Sequence, residues 1–194
     1  MPRPSVRDKL IAAAIDAFHA RGYKGCTIEE IADRAEVFKG SFYNHFKSKE
    51  ALAVEVVQNY EKMLADSLPL EDTESAMQRL RRHFDFLLGR YQKFGFRGCL
   101  LGNLTTEVAE AGPTLRTALA GAFDRWCGRV AEVLRQAQAA GEIKKRHDPE
   151  QLARYLVNSW EGATTRLKIV KNRGPMDDFF ALSFGSLLGY EKER

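Results

Sequence analysis

Two stretches of this chain hold side chains whose types and spacing could do chemistry. The first is "TIEEIADRAEVFKGSFYNHFKSKEAL", Thr27 to Leu52, where Thr27, Lys39, Ser41, Tyr43, Asn44, His45 and Lys49 gather around a few apolar anchors. On short helices such residues present hydrogen-bond donors and one aromatic ring to a groove; on an ordinary surface they are simply solvated. The second is "GFRGCLLGNLTTEVAE", Gly95 to Glu110, in which Cys99 follows Arg97 and Gly98 and precedes an apolar run from Leu100. A thiol beside a cation at a helix start has its thiolate favoured and its reactivity raised. A free cysteine is as readily a buried small hydrophobe, and the residues alone leave both readings open.

The elements that must carry these residues are helices. Apolar positions recur at helical spacing nearly throughout, with no convincing period-2 strand, so the chain reads as all-α. Leu10, Ile11, Ala14, Ile15 and Phe18 mark the inner face of a first helix that Gly22 stops. Thr27 with Glu30 forms a capping box, and Ile28, Ile31, Ala32 and Ala35 give the following helix one apolar stripe. A turn through Glu36 and Val37 then leads to a helix starting at Phe38 or Lys39 and anchored by Phe42 and Phe46. Two short helices joined by a tight turn make a helix-turn-helix. Further helices are expected over about 48–68, 73–93, 100–110, 114–140, 148–171 and 176–189, separated by segments rich in Pro and Gly. The expected domains are an N-terminal three-helix helix-turn-helix domain, 1–47, and a larger C-terminal helical domain, 48–194.

Composition narrows the function classes. The chain has 194 residues, 44% of them hydrophobic, enough for a proper core. No run of about 18 apolar residues occurs and charges interrupt the first twenty, so the expected location is the cytoplasm, with no membrane partner. Cys26, Cys99 and Cys127 are widely spaced, and His19, His45, His83 and His147 are scattered, so no metal site, disulfide framework or cofactor is expected. Charge is evenly spread: up to Leu52 there are nine Lys and Arg against seven Asp and Glu. Without a basic tail, a DNA-binding protein lacking sequence preference is disfavoured, and any nucleic-acid contact depends on where single cations sit. An enzyme using Cys99 as nucleophile would need a base, such as His83 or His147, and an oxyanion site; no recognisable set is present, so no enzyme is expected.

The run from Thr27 to Leu52, preceded by "LIAAAIDAFHARGYKGCT", resembles the N-terminal domain of the TetR family of bacterial transcriptional repressors. The resemblance covers about Arg7 to Val54 and is most specific in "KGSFYNHFKSKEAL". It implies double-stranded operator DNA as a partner. By it, the Thr27 hydroxyl and N–H, Tyr43, His45 and Lys49 contact phosphates, which positions the protein. Base reading falls to Lys39, Ser41, Tyr43 and Asn44, with Gly40 allowing close approach. Phe38 departs from the family pattern; it is expected to pack near Phe42, with a thymine methyl as the alternative partner.

The same resemblance gives the C-terminal domain a small-molecule effector and a homodimer interface. Leu152, Tyr155, Leu156, Trp160, Ala163, Leu167 and Val170 form one stripe, and Phe179, Phe180, Phe184, Leu187 and Leu188 another; both are expected in a bundle shared by two copies. "RGCLLGNLTTEV" is locally similar to a subgroup that includes the N-ethylmaleimide repressor, which implies electrophile sensing at Cys99. Cys26 and Cys127 read as packing residues. Of the aromatic and polar candidates for a ligand pocket, which include Tyr91, Phe94, Asn103, Asn158 and Glu161, Trp126 and Trp160 are taken forward. The function implied is a ligand-responsive repressor that binds a palindromic operator as a dimer and is released by a small molecule.

Overall fold

The computed structural model describes residues 5–93, 95–108 and 112–190. Phe94 and the expected end of the helix at 109–110 lie outside them. In chain order the elements are α1 (Val6–Arg21), α2 (Ile28–Arg34), α3 (Lys39–Tyr43), α4 (Lys49–Asp66), α5 (Ala76–Lys93), α6 (Leu100–Thr105), α7 (Pro113–Ala139), α8 (Pro149–Val170) and α9 (Gly174–Phe179). A π-wound segment, Phe180–Leu188, continues α9. The described residues are all-helical apart from their connections.

The chain packs as two compact units, 1–61 with 100–122 and 62–99 with 123–194. These bounds differ from the division at 47/48, because α4 and α7 each run through both units and the segment 100–122 returns to α1. In the first unit, Ser5 and Asp8 make a capping box that starts α1, and Gly22, at φ +76°, ends it. Gly22 is also a close approach: a Cβ there would lie 2.0 Å from the Glu107 carboxylate, which accepts from the Lys24 N–H at 2.7 Å. Leu10, Ala14, Phe18, Ile31, Phe42, Leu52 and Val56 are sealed from solvent and form the unit's core.

In the second unit, the Glu142 carboxylate accepts from the N–H groups of Ala76 and Met77 and so caps α5. Asp148 caps α8, with Pro149 in its first turn. The core is aromatic: Phe84 lies 4.9 Å from Trp160, 5.1 Å from Phe179 and 6.0 Å from Phe184, ring centre to ring centre. Buried Arg79 donates to the carbonyls of Pro69 and Leu70 and to Gln136, which tie down an otherwise costly charge. The last helix expected from the sequence is thus half α and half π, and α6 is one short helix rather than a run from 100 to 110.

Candidate nucleic-acid interface and buried thiol

The helix-turn-helix follows from local chemistry. Thr27 caps α2: its hydroxyl accepts from the Glu30 N–H at 3.1 Å, and Glu30 Oε2 accepts from the Thr27 N–H at 2.9 Å. The turn is a Schellman closure, in which the Val37 N–H reaches the Ala32 carbonyl and the Glu36 N–H the Asp33 carbonyl, both at 3.0 Å. Glu36 takes the left-handed position at φ 56°, where glycine is usual. The buried rings of Phe42 and Phe46, 5.7 Å apart, then anchor α3.

Burying Phe42 and Phe46 turns the polar residues outward. Lys39, Gly40, Tyr43, Asn44 and His45 are exposed and Ser41 is half-buried. A Cβ added at Gly40 would meet nothing within 4 Å, so this side of α3 is open. Tyr43 stands edge-on against Phe42, their ring centres 5.3 Å apart, and is itself exposed. Lys39 is ion-paired with Glu29 of α2. That hydrogen bond holds the Glu29 carboxyl below its ordinary value and lifts Lys39 above its own.

Three positions differ from expectation. Phe38 is 88% exposed and does not pack into the domain; it precedes α3 without a side-chain capping bond, and the room near Phe42 is taken by Phe46 and Tyr43. The Thr27 N–H is already spent on Glu30, leaving the hydroxyl proton for an outside acceptor. Lys49 is half-buried: its ammonium donates to the carbonyls of Tyr23 at 3.0 Å and Cys26 at 2.9 Å, 4.4 Å above the Tyr23 ring. The partnership of Glu29 with Lys39 leaves no mark in the sequence, because ten residues separate them and the turn brings them together.

In the second unit, Cys99 is buried, with 2% of its surface exposed, directly before α6. Its thiol is hydrogen-bonded to the Glu161 carboxyl of α8. Burial pushes Glu161 up to about 7, and the bond from Cys99 opposes that shift. Its Oε1 atom is buried with no hydrogen-bond partner. Cys26 is tied to the Ala17 carbonyl at 3.3 Å, and burial raises the thiols of Cys26 and Cys127 above their usual range, as suits packing residues.

Trp126 and Trp160, taken from the sequence as pocket candidates, are core residues whose indole N–H groups are spent inside the protein. Trp126 donates to His83 Nε2 at 2.9 Å, and Trp160 bonds Tyr91 Oη at 3.3 Å. Nδ1 of His83 lies 2.8 Å from Ser67 Oγ, whose proton goes to the Leu64 carbonyl; the ring is therefore neutral with its proton on Nδ1. Burial pushes His83 down to about 3.

The expected shared bundle is also redrawn. Leu152, Leu156, Trp160, Leu167, Phe179, Phe180, Phe184 and Leu188 are buried within one copy, because α8, α9 and the π segment close on α5 through those rings. The apolar side chains left outside are Tyr155, Ile169 and Val170 on α8 and Leu182 on the π segment.

Comparison with known proteins places this architecture. Residues 10–56 match the family described as bacterial regulatory proteins, tetR family, and residues 76–182 a tetracyclin repressor-like C-terminal domain. The chain is 34% identical over 188 residues to the HTH-type transcriptional repressor DhaR of Mycobacterium sp. (strain GP1), covering 97% of this chain and 95% of the relative. It is 28% identical over 186 residues to the HTH-type transcriptional repressor NemR of Escherichia coli (strain K12), covering 90% of each. The structure of reduced E. coli NemR superposes with a TM-score of 0.80 at 25% identity, over 92% of this chain and 94% of that one. A regulatory protein TetR from Rhodobacter sphaeroides gives 0.84 at 33% identity, over 90% and 95%.

Proposed function

The chain belongs to the TetR family of bacterial transcriptional regulators, and from that premise we propose that it is a dimeric repressor released from a palindromic operator when an electrophile reacts at Cys99. The observation that carries the DNA half is the open face of α3, where Phe38, Lys39, Tyr43 and Asn44 stand in solvent around Gly40. A helix offering donors and two rings on one side fits a major groove, with Lys39 donating to guanine and Asn44 pairing with adenine. Tyr43, His45 and the Thr27 hydroxyl hold phosphates. Phe38, free of the domain core, meets a thymine methyl. Lys39 must exchange Glu29 for a base, a small cost for an exposed pair.

Two copies meet through the outward residues Tyr155, Ile169 and Leu182, which sets two α3 helices toward successive major grooves. Cys99 is the effector site: it is the one cysteine of the three bonded to a carboxyl group that can take its proton. Adding an adduct to a thiol this buried forces the packing around it to shift. Because DNA and effector favour different arrangements, each weakens the other's binding by the same factor. The cytoplasm is where such a regulator meets its operator, and none of the described helices is long and apolar enough to cross a membrane.

The test is fluorescence anisotropy on the DNA flanking the coding region, with and without N-ethylmaleimide, for wild type and Cys99→Ser. Wild type should bind tightly, and release on alkylation; the Ser variant should bind and stay. If Cys99→Ser is released as readily as wild type, the effector is a non-covalent ligand, and the DNA-binding role stands without the thiol.

A further inference from the structure

We propose that Glu161 is the proton acceptor that activates Cys99 for addition to an α,β-unsaturated carbonyl compound, and the proton donor that completes that addition. The inference rests on the electrophile reading above and supplies the base that a thiol needs. Glu161, Thr164 and Lys168 are three and then four residues apart, so they share one face of α8. Gly98 is pressed onto that face: a Cβ there would lie 3.0 Å from Lys168 Cδ and 3.4 Å from the Thr164 carbonyl oxygen, and its φ is +73°. The left-handed φ favours glycine, and the chain there delivers the next residue, Cys99, to Glu161 one turn earlier along α8. The thiol bonds the Glu161 carboxyl, while Oε1 of the same carboxyl is buried and bonded to nothing.

An acceptor atom left bare inside a protein is costly and calls for a reason, and this one belongs to the carboxyl that the thiol bonds. Burial puts Glu161 at about 7, so both its forms are populated near neutral pH, as suits a group that takes a proton and returns it. The other charged groups of the loop and of this helix face, among the described residues, are Arg97, Lys168 and Lys171, whose ammonium donates to the Gly95 carbonyl at 3.4 Å. Cys26, by contrast, donates to a backbone carbonyl, which cannot take its proton.

The chemistry closes without an outside oxidant or reductant. The Glu161 carboxylate takes the Cys99 proton as the sulfur lone pair attacks the β-carbon of the acceptor. The C=C π pair moves onto the carbonyl oxygen as an enolate, and Glu161 returns the proton to the α-carbon. One S–H bond and one π bond are exchanged for C–S and C–H bonds.

The experiment is the rate of N-ethylmaleimide addition at each cysteine, followed by mass spectrometry from pH 5 to 8.5, on the full chain and on Glu161→Gln. In wild type, addition at Cys99 should rise with pH to about 7 and then level, following Glu161. The Gln variant keeps the side-chain size and an acceptor atom but takes no proton; it should react ten- to a hundredfold more slowly at pH 7 and climb about tenfold per pH unit, as an unassisted thiol does. Identical profiles, with Cys99 still labelled first in both, would overturn the role of Glu161 and leave the sensor reading intact. Should wild-type Cys99 react no faster than Cys26 and Cys127, the sensor reading itself falls and the proposal with it. Where the variant does not fold, by circular dichroism and operator binding, the wild-type profile decides: a rate with no levelling near pH 7 rules the proposal out.

Discussion

The face of α3 and the interior around Phe84 handle polar groups in opposite ways. On α3 and just past its end, Lys39, Asn44 and His45 stand in water, and the pair that Lys39 makes with Glu29 is exposed and cheap to exchange. Around Phe84, every ring is packed and the indole groups of Trp126 and Trp160 have named partners, so a polar change there has nowhere to go. The exposed face keeps its bonds cheap to exchange, while the aromatic interior keeps few polar groups and makes each one matter.

The contrast is broken most violently by a charge placed inside. Trp160→Lys should unfold the chain, at a cost above ~3 kcal/mol, because it removes the ring from the aromatic core and buries an unpaired ammonium; thermal denaturation reads it. Leu182→Glu, placed on the 61% exposed Leu182, should leave that melting curve of the monomer near wild type and shift only sedimentation toward the monomer. A Leu182→Glu dimer as tight as wild type would place the seam elsewhere.

Next in size is the acid limb of stability. His83 is neutral in the fold and pushed down to about 3, so the unfolded chain binds the proton more readily. Its contribution is complete above pH ~6.5 and is lost as pH falls from there toward 3, on the order of 5 kcal/mol in all. Glu161 runs the other way: its raised value favours the neutral form, and its contribution fades as pH rises from about 4.5 to about 7. Urea titrations across pH 4 to 8 should show His83→Gln flattening the acid side and Glu161→Gln the neutral side.

A smaller effect belongs to the exposed surface. Phe38→Ala should weaken operator binding by ~1–2 kcal/mol while leaving affinity for bulk DNA nearly unchanged, whereas Tyr43→Ala should weaken both. Equal losses on operator and bulk DNA for Phe38→Ala would remove it from base reading. Smallest is Glu36→Gly: relief of the left-handed φ is offset by the greater freedom of unfolded glycine, so stability, read from thermal denaturation, should change by less than ~1 kcal/mol in either direction.

What could be read in advance was local. The capping box of Thr27 and Glu30, the stop at Gly22 and a start of α3 at Phe38 or Lys39 are decided within a few residues of chain; the structure has the first two where the sequence implies them and begins α3 at Lys39. Phe38 was misplaced because its neighbours in space, not in sequence, decide whether a ring has a pocket. Helical spacing marked Trp160 and Phe184 as apolar-facing, but periodicity says nothing of whether that face meets the same copy or another. The pairing of Cys99 with Glu161 spans 62 residues, and no spacing rule reaches that far. The π winding of 180–188 left no mark either, since the same apolar residues would line an α-helix.

Lys49 ties two pieces of the first unit into one moving part. It is the first residue of α4, and its ammonium grips the carbonyls of Tyr23 and Cys26, the second of which is the residue before the cap of α2. Any pull on the front of α4 must therefore either stretch two charged hydrogen bonds or drag the head of α2 with it. The side chain works as a tow line, short and taut: the first turn of α4 and the head of α2 hang on one ammonium.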